Sequence, residues 1–156
     1  MRRGFTLIET IIYLALFSIL MAGILSSVYI LFESSDRNQS KATLQEEKEY
    51  LLGKINWALN GAQTISTPAA NASGSFLSAI KYDTTATQVG ISGTNMTFNG
   101  VTLNNSNVKV TNLTFIHTYA GGANPESLEA GFTLSIGTPN GMTISQIAST
   151  TRYIRK

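Results

Sequence analysis

The stretch MRRGFTLIETIIYLALFSILMAGILSSVYILF, residues 1–32, decides how the rest of the chain is read. Arg2, Arg3 and Gly4 precede an apolar run from Phe5 to Phe32 that holds one charge, Glu9, and no proline. The run exceeds the roughly 20 residues a helix needs to cross the hydrocarbon core of a bilayer. A secretory signal has a shorter apolar stretch followed by a small-residue cleavage site. Here the natural cut lies ahead of the apolar run, at Gly4–Phe5, and would leave the membrane helix on the mature chain. Arg2 and Arg3 act as orientation signals that keep the N-terminus on the cytoplasmic side.

Glu9 is the informative residue. A carboxylate near the centre of a membrane helix costs about 2.5–3.5 kcal/mol on insertion scales, and such residues mark a function or a buried partner. Near the cytoplasmic end the cost is smaller, but an uncharged residue or a lysine would be the neutral choice. Cutting after Gly4 places the new amine of Phe5 one helical turn from Glu9. A helix N-terminus and an ammonium both favour a nearby carboxylate. In an assembly, the amine of a neighbouring subunit would match the charge and offset its desolvation.

RRGFTLIE, residues 2–9, resembles the class III signal of type IV pilins and pseudopilins: a basic leader ending in glycine, then Phe-Thr-Leu-Ile-Glu opening the helix. The resemblance implies cleavage after Gly4 by a prepilin peptidase and methylation of Phe5. It also implies a role for Glu9 in assembly into a helical filament with other pilin or pseudopilin subunits, at an inner-membrane assembly platform. It covers about the first thirty residues. A plain signal anchor would leave Gly4 and Glu9 unexplained, and a twin-arginine export signal conflicts with a charge so early in the apolar segment.

The remaining chain supplies a head. At 156 residues the length suits one domain plus an anchor. Net charge is +2, and loss of Arg2 and Arg3 brings the side-chain sum of the mature chain to about zero, so the basic balance carries no argument for nucleic-acid affinity. The chain has no cysteine, which excludes a disulfide framework and a thiolate metal site. A charged fraction of 13% with abundant Thr, Ser, Asn and Gly fits an extracytoplasmic β-rich surface.

The helix is expected to continue past the bilayer. No proline occurs before Pro68, and Gly53 is the one glycine between Gly23 and Gly61. Residues 34–48 form a polar neck. Leu44, Leu51, Leu52, Ile55, Ala58, Leu59 and Ala62 then recur at three- and four-residue spacings, which marks one apolar face. The expected organisation is a cleaved leader (1–4), a membrane and filament-core helix (5–32), an amphipathic continuation (33–62) and a β-rich head (63–156). The spine from Phe5 to Ala62 would measure roughly 85–90 Å. Gly53 marks either a bend or close contact with the sheet.

Past Pro68 the period changes to two. Residues 64–75 read as a loop, then Phe76–Tyr82, Gln88–Ser92 and Met96–Phe98 read as strands. Asn99-Gly100 is the strongest hairpin dipeptide in the chain. Val108–Tyr119 is a long strand with a break at Asn112, and Gly131–Ile136 and Met142–Ile154 flank a turn at Pro139-Asn140-Gly141. The fold class is α+β: one long helix on a small antiparallel meander, pilin-like.

The head offers little chemistry. His117, the single histidine, reads as a surface or edge-strand residue. Glu46, Glu47, Lys48 and Glu49 read as a solvated helix face, and Trp57 as a core or edge aromatic against the sheet. Acids after the helix are Asp83, Glu126 and Glu129, too few for a calcium cage of six to eight oxygens. The segment from Ala120 to Pro125 lacks the lysine and following helix of a phosphate cradle. No metal, cofactor or catalytic triad is expected, and the chain does not read as an enzyme. Arg152, Arg155 and Lys156 around Tyr153 close the chain as the basic ends of a final strand. They leave nucleic acid or an acidic partner open as a ligand.

The expected function is that of a structural subunit, a minor pilin or pseudopilin. It would be anchored by a single pass in the cytoplasmic membrane among lipid, with its head outside the cytoplasm, and would serve a pilus, a secretion system or DNA uptake. Two other classes stay open: a stand-alone, membrane-tethered binding module such as an adhesin or DNA receptor, and a secreted hydrolase on a signal anchor.

Overall fold

The computed structural model describes residues 6–119 and 125–154. The chain divides into two compact units, Met1–Gln39 and Ser40–Lys156. The described residues form one helix, α1 (Leu7–Leu59), and nine strands, β1 (Ala62–Thr67), β2 (Ala72–Gly74), β3 (Leu77–Lys81), β4 (Ala86–Ser92), β5 (Asn95–Phe98), β6 (Val101–Thr102), β7 (Val108–Thr118), β8 (Ser127–Gly137) and β9 (Thr143–Tyr153). The fold is α+β, a long N-terminal helix with antiparallel sheets, as the sequence implied.

In the second unit, α1 buries the side chains of Leu44, Leu51, Ile55, Ala58 and Leu59, with Leu52 partly buried. The helix ends at Leu59 rather than at Ala62, which opens β1 instead. Gly61, at a φ of 74°, takes the left-handed conformation that stops a helix without the clash a Cβ would cause. Two of the last helical carbonyls, which have no partner inside the helix, are met from the strands. Lys81 Nζ donates to Trp57 O at 3.2 Å, and Thr87 Oγ1 to Ala58 O at 3.3 Å. Gly53 has open space where a side chain would stand, so it makes no close approach to a sheet.

The head holds two sheets where a single meander was expected: β1-β3-β4-β5-β6 and β2-β7-β8-β9. Residues 64–75, expected as a loop, contain most of β1 and all of β2. In β1 the buried residues are Ala62 and Ile65, three apart, because register irregularities between Ala62 and Thr64 and between Ile65 and Thr67 break the alternation. A period-two search does not detect such a strand. β8 starts at Ser127, four residues before the expected start. Asn99 (φ 48°) and Gly100 (φ 82°) form the two-residue turn between the paired Phe98 and Val101, the geometry that an Asn-Gly hairpin favours.

The core lies where the helix face meets Leu77, Val89 and Met96 of one sheet and Val108, Val110, Leu113, Phe115, Leu128, Phe132 and Leu134 of the other. Asn104 ties the sheets together. Its buried side chain accepts from Met96 N at 2.8 Å and donates to Val108 O at 2.6 Å, and Val110 N donates to Thr94 O at 2.8 Å.

A bulge in β7 sets which residues reach this core. Thr111 pairs with Thr133 and Thr114 with Gly131, so Asn112 and Leu113 together oppose Phe132. Asn112 stands at a φ of 54°, a conformation asparagine tolerates better than most residues. The extra residue switches the inward set from Val108 and Val110 to Leu113, Phe115 and His117. His117 is therefore buried, not a surface residue.

Candidate functional site

The first unit contains the segment that the sequence singled out. From Leu7 to Phe32 the helix presents its large apolar side chains outward: Leu7 is 80% exposed, and Ile8, Leu14, Ile19, Leu25 and Leu31 are similarly open. The helix has an 18-residue window of mean hydropathy 2.3, none of it buried within the chain, which is apolar and long enough to cross a membrane. Three of its hydroxyls bond back to the helix. Thr10 Oγ1 donates to Leu7 O at 2.8 Å, Ser18 Oγ to Leu14 O at 2.8 Å and Ser27 Oγ to Gly23 O at 2.9 Å. Side chains bonded back to the helix need no water, which lowers the cost of an apolar environment.

Glu9 lies in the first turn, where the free N–H groups and the helix dipole favour an anion. Thr6 O receives hydrogen bonds from Glu9 N at 3.1 Å and Thr10 N at 3.3 Å, which closes this turn. Tyr13, one turn on, places its hydroxyl 3.4 Å from Glu9 Oε1. Sequence reading passed over Tyr13, although its i+4 spacing from Glu9 was the signal for a contact on one helix face. Arg2, Arg3, Gly4 and Phe5 lie outside the described residues, as do Arg155 and Lys156 of the basic C-terminus and residues 120–124 of the glycine-rich segment.

Among the described residues of the head, the titratable groups do not converge on a catalytic arrangement. Among the described residues no group of three or more His, Cys, Asp or Glu could hold a metal ion. His117 Nδ1 lies 3.0 Å from Pro68 O, and Nε2 lies 2.9 Å from Glu126 Oε1. A carbonyl oxygen only accepts, so Nδ1 is the donor to Pro68 O, and Nε2 faces the Glu126 carboxylate. The imidazole thus joins the segment entering β2 to the segment entering β8. This is a structural tie, with both ring nitrogens occupied.

Trp57 is half exposed, packs edge-on against Phe98 with ring centroids 5.5 Å apart, and has Lys81 Nζ 3.7 Å from its ring centroid. Within the acidic cluster, Glu47 Oε1 accepts from Asn105 N at 3.2 Å and Lys48 lies 3.8 Å from Glu49, so Glu47 holds the β6–β7 loop and is more than a solvated group. Asp83, on the β3–β4 turn, accepts from Thr85 N at 3.0 Å. That hydrogen bond, with help from the Thr85 hydroxyl and Lys81, holds its carboxyl below the usual range.

Residues 1–25 match the family model described as the prokaryotic N-terminal methylation motif. No curated protein and no solved structure matches this chain.

Proposed function

We propose that this type IV pilin-like chain, identified as such by its methylation motif and its long N-terminal apolar helix, works as a minor pilin or pseudopilin. The motif marks a structural, membrane-anchored subunit. It implies processing by a prepilin peptidase and assembly with other pilin subunits. On this reading the peptidase cuts between Gly4 and Phe5, Phe5 is methylated, and Arg2 and Arg3 hold the leader on the cytoplasmic side. The apolar half of α1 then rests in the cytoplasmic membrane until an assembly platform moves it into a filament.

The observation that carries the proposal is an apolar helix surface from Leu7 to Phe32 whose large side chains are exposed among the described residues, with one carboxylate, Glu9, in its first turn. Such a surface needs lipid or other helices around it. The terminal ammonium of an adjacent processed subunit is the cation that would meet Glu9 as both leave water. This pairing sets the register of the subunit in the filament. Its test is Glu9→Gln, which keeps shape and removes charge. The variant is expected to reach the membrane and be processed normally, but to be lost from the sheared filament fraction. Incorporation at the wild-type level would overturn the role given to Glu9.

A further inference from the structure

The free edges of the two sheets are built very differently. β2 and β6 are short, with three and two residues, and β1 carries two register irregularities. Short or irregular edges discourage further strand pairing. β9 has eleven residues, no proline and one charged side chain, Arg152, and pairs with β8 from Tyr153 to Thr143 without a shift.

The hydrogen bonds at the two ends of β9 show which of its backbone groups are free. Ile154 N donates to Glu126 O at 2.9 Å and Thr138 N to Met142 O at 2.8 Å. Residues facing an antiparallel neighbour alternate, so the even-numbered residues of β9 turn their N–H and C=O toward β8. Those of Thr143, Ser145, Ile147, Ser149, Thr151 and Tyr153 point to the open edge. All six side chains are exposed and uncharged, and Ile147, at mid-strand, is 78% exposed. At its C-terminal end β9 borders a cleft of about 630 Å³ shared with Asn60, Gly61, Ala62 and Tyr82. Arg152 lines this cleft and forms no ion pair among the described residues.

We propose that β9 takes up an extended segment of a partner protein as an added antiparallel strand, with an apolar residue opposite Ile147 and an acidic residue opposite Arg152. Backbone hydrogen bonds supply the affinity and alternate side chains the selectivity in this mode of binding. Residues directly opposite share a face of the sheet. The two recognition residues therefore sit five apart on opposite faces of the partner strand, the acid over the cleft. Charge favours a different protein over a second copy: the other sheet edges of this chain, β1, β2 and β6, contain no Asp or Glu to meet Arg152. This surface is distinct from the α1 segment assigned to filament assembly.

The test uses the full chain in detergent and the synthetic peptide acetyl-TETQTQVQTQT-amide, whose second and seventh residues fall opposite Arg152 and Ile147. Amide exchange at Ser145, Ile147, Ser149 and Thr151 should slow when the peptide is added at millimolar concentration. N-methylation of its fifth residue, whose N–H faces β9, should abolish the effect, whereas N-methylation of the sixth should preserve it. Arg152→Glu should weaken binding up to about fivefold, and replacing the peptide's glutamate with lysine should restore it. Unchanged exchange, or equal loss from both N-methylations, overturns the proposal. So does protection of these amides before peptide is added that disappears on dilution, which would assign the edge to a second copy.

Discussion

Replacing His117 with alanine tests how the head closes over its core. The imidazole and the Glu126 carboxylate have side-chain exposures of 4% and 8% and lie 2.9 Å apart, and the second ring nitrogen bonds Pro68 O at 3.0 Å. Withdrawing one partner from a buried pair costs about 3–5 kcal/mol. The carbonyl also loses its donor, and an unsatisfied buried acceptor costs about 1–3 kcal/mol if water does not reach it. Because the cavity left by the ring admits some relaxation, the expected loss for His117→Ala is about 3 kcal/mol. The double variant His117→Leu, Glu126→Leu removes both polar groups of the pair and refills the space, so it should cost less than the single variant, about 1–2 kcal/mol. Urea unfolding of the full chain in detergent, followed by the fluorescence of its single tryptophan, Trp57, measures both. A single-variant loss below about 1 kcal/mol, or a double-variant loss larger than the single, would refute the reasoning.

Two further outcomes follow from named features of the head. Deleting Asn112 removes the bulge but keeps Leu113, Phe115 and His117 on the inner face, because Val110, Leu113 and Phe115 then alternate in regular register opposite Leu134, Phe132 and Ala130. The deletion should therefore still unfold cooperatively, as should Asn112→Gly. Loss of a cooperative transition on deletion would contradict the reading of Asn112 as the inserted residue. Asp83 has a folded-state pKa below its unfolded value, so its stabilising contribution is present above about pH 4 and is lost as pH falls through the folded value. The stability difference between wild type and Asp83→Asn should accordingly shrink on acidification through that window. A constant difference from neutral pH downwards would contradict the assignment.

The N-terminal half of this protein was legible because its physics is one-dimensional. An apolar run with a placed carboxylate and a glycine ahead of it needs no tertiary contact to be recognised. The helical face from Leu44 to Leu59 and the Asn99-Gly100 turn were equally plain, since periodicity and turn chemistry are local. His117 was hidden by a single inserted residue. Unbroken alternation from Val108 points position 117 to solvent, and only the pairing of β7 with β8 shows that Asn112 shifts the phase. β1 escaped for a related reason: two irregularities space its buried residues three apart. The division into two sheets was out of reach because it depends on which strands pair across the chain, β2 with β7 and β1 with β3, and no local pattern encodes that choice.

The account rests on processing at the Gly4–Phe5 junction, and intact mass of the membrane-extracted protein, from cells with and without prepilin peptidase, tests it most directly. With the peptidase, the account predicts loss of Met1–Gly4 and gain of one methyl group on Phe5; without it, the full chain. An unprocessed chain in both backgrounds would contradict it.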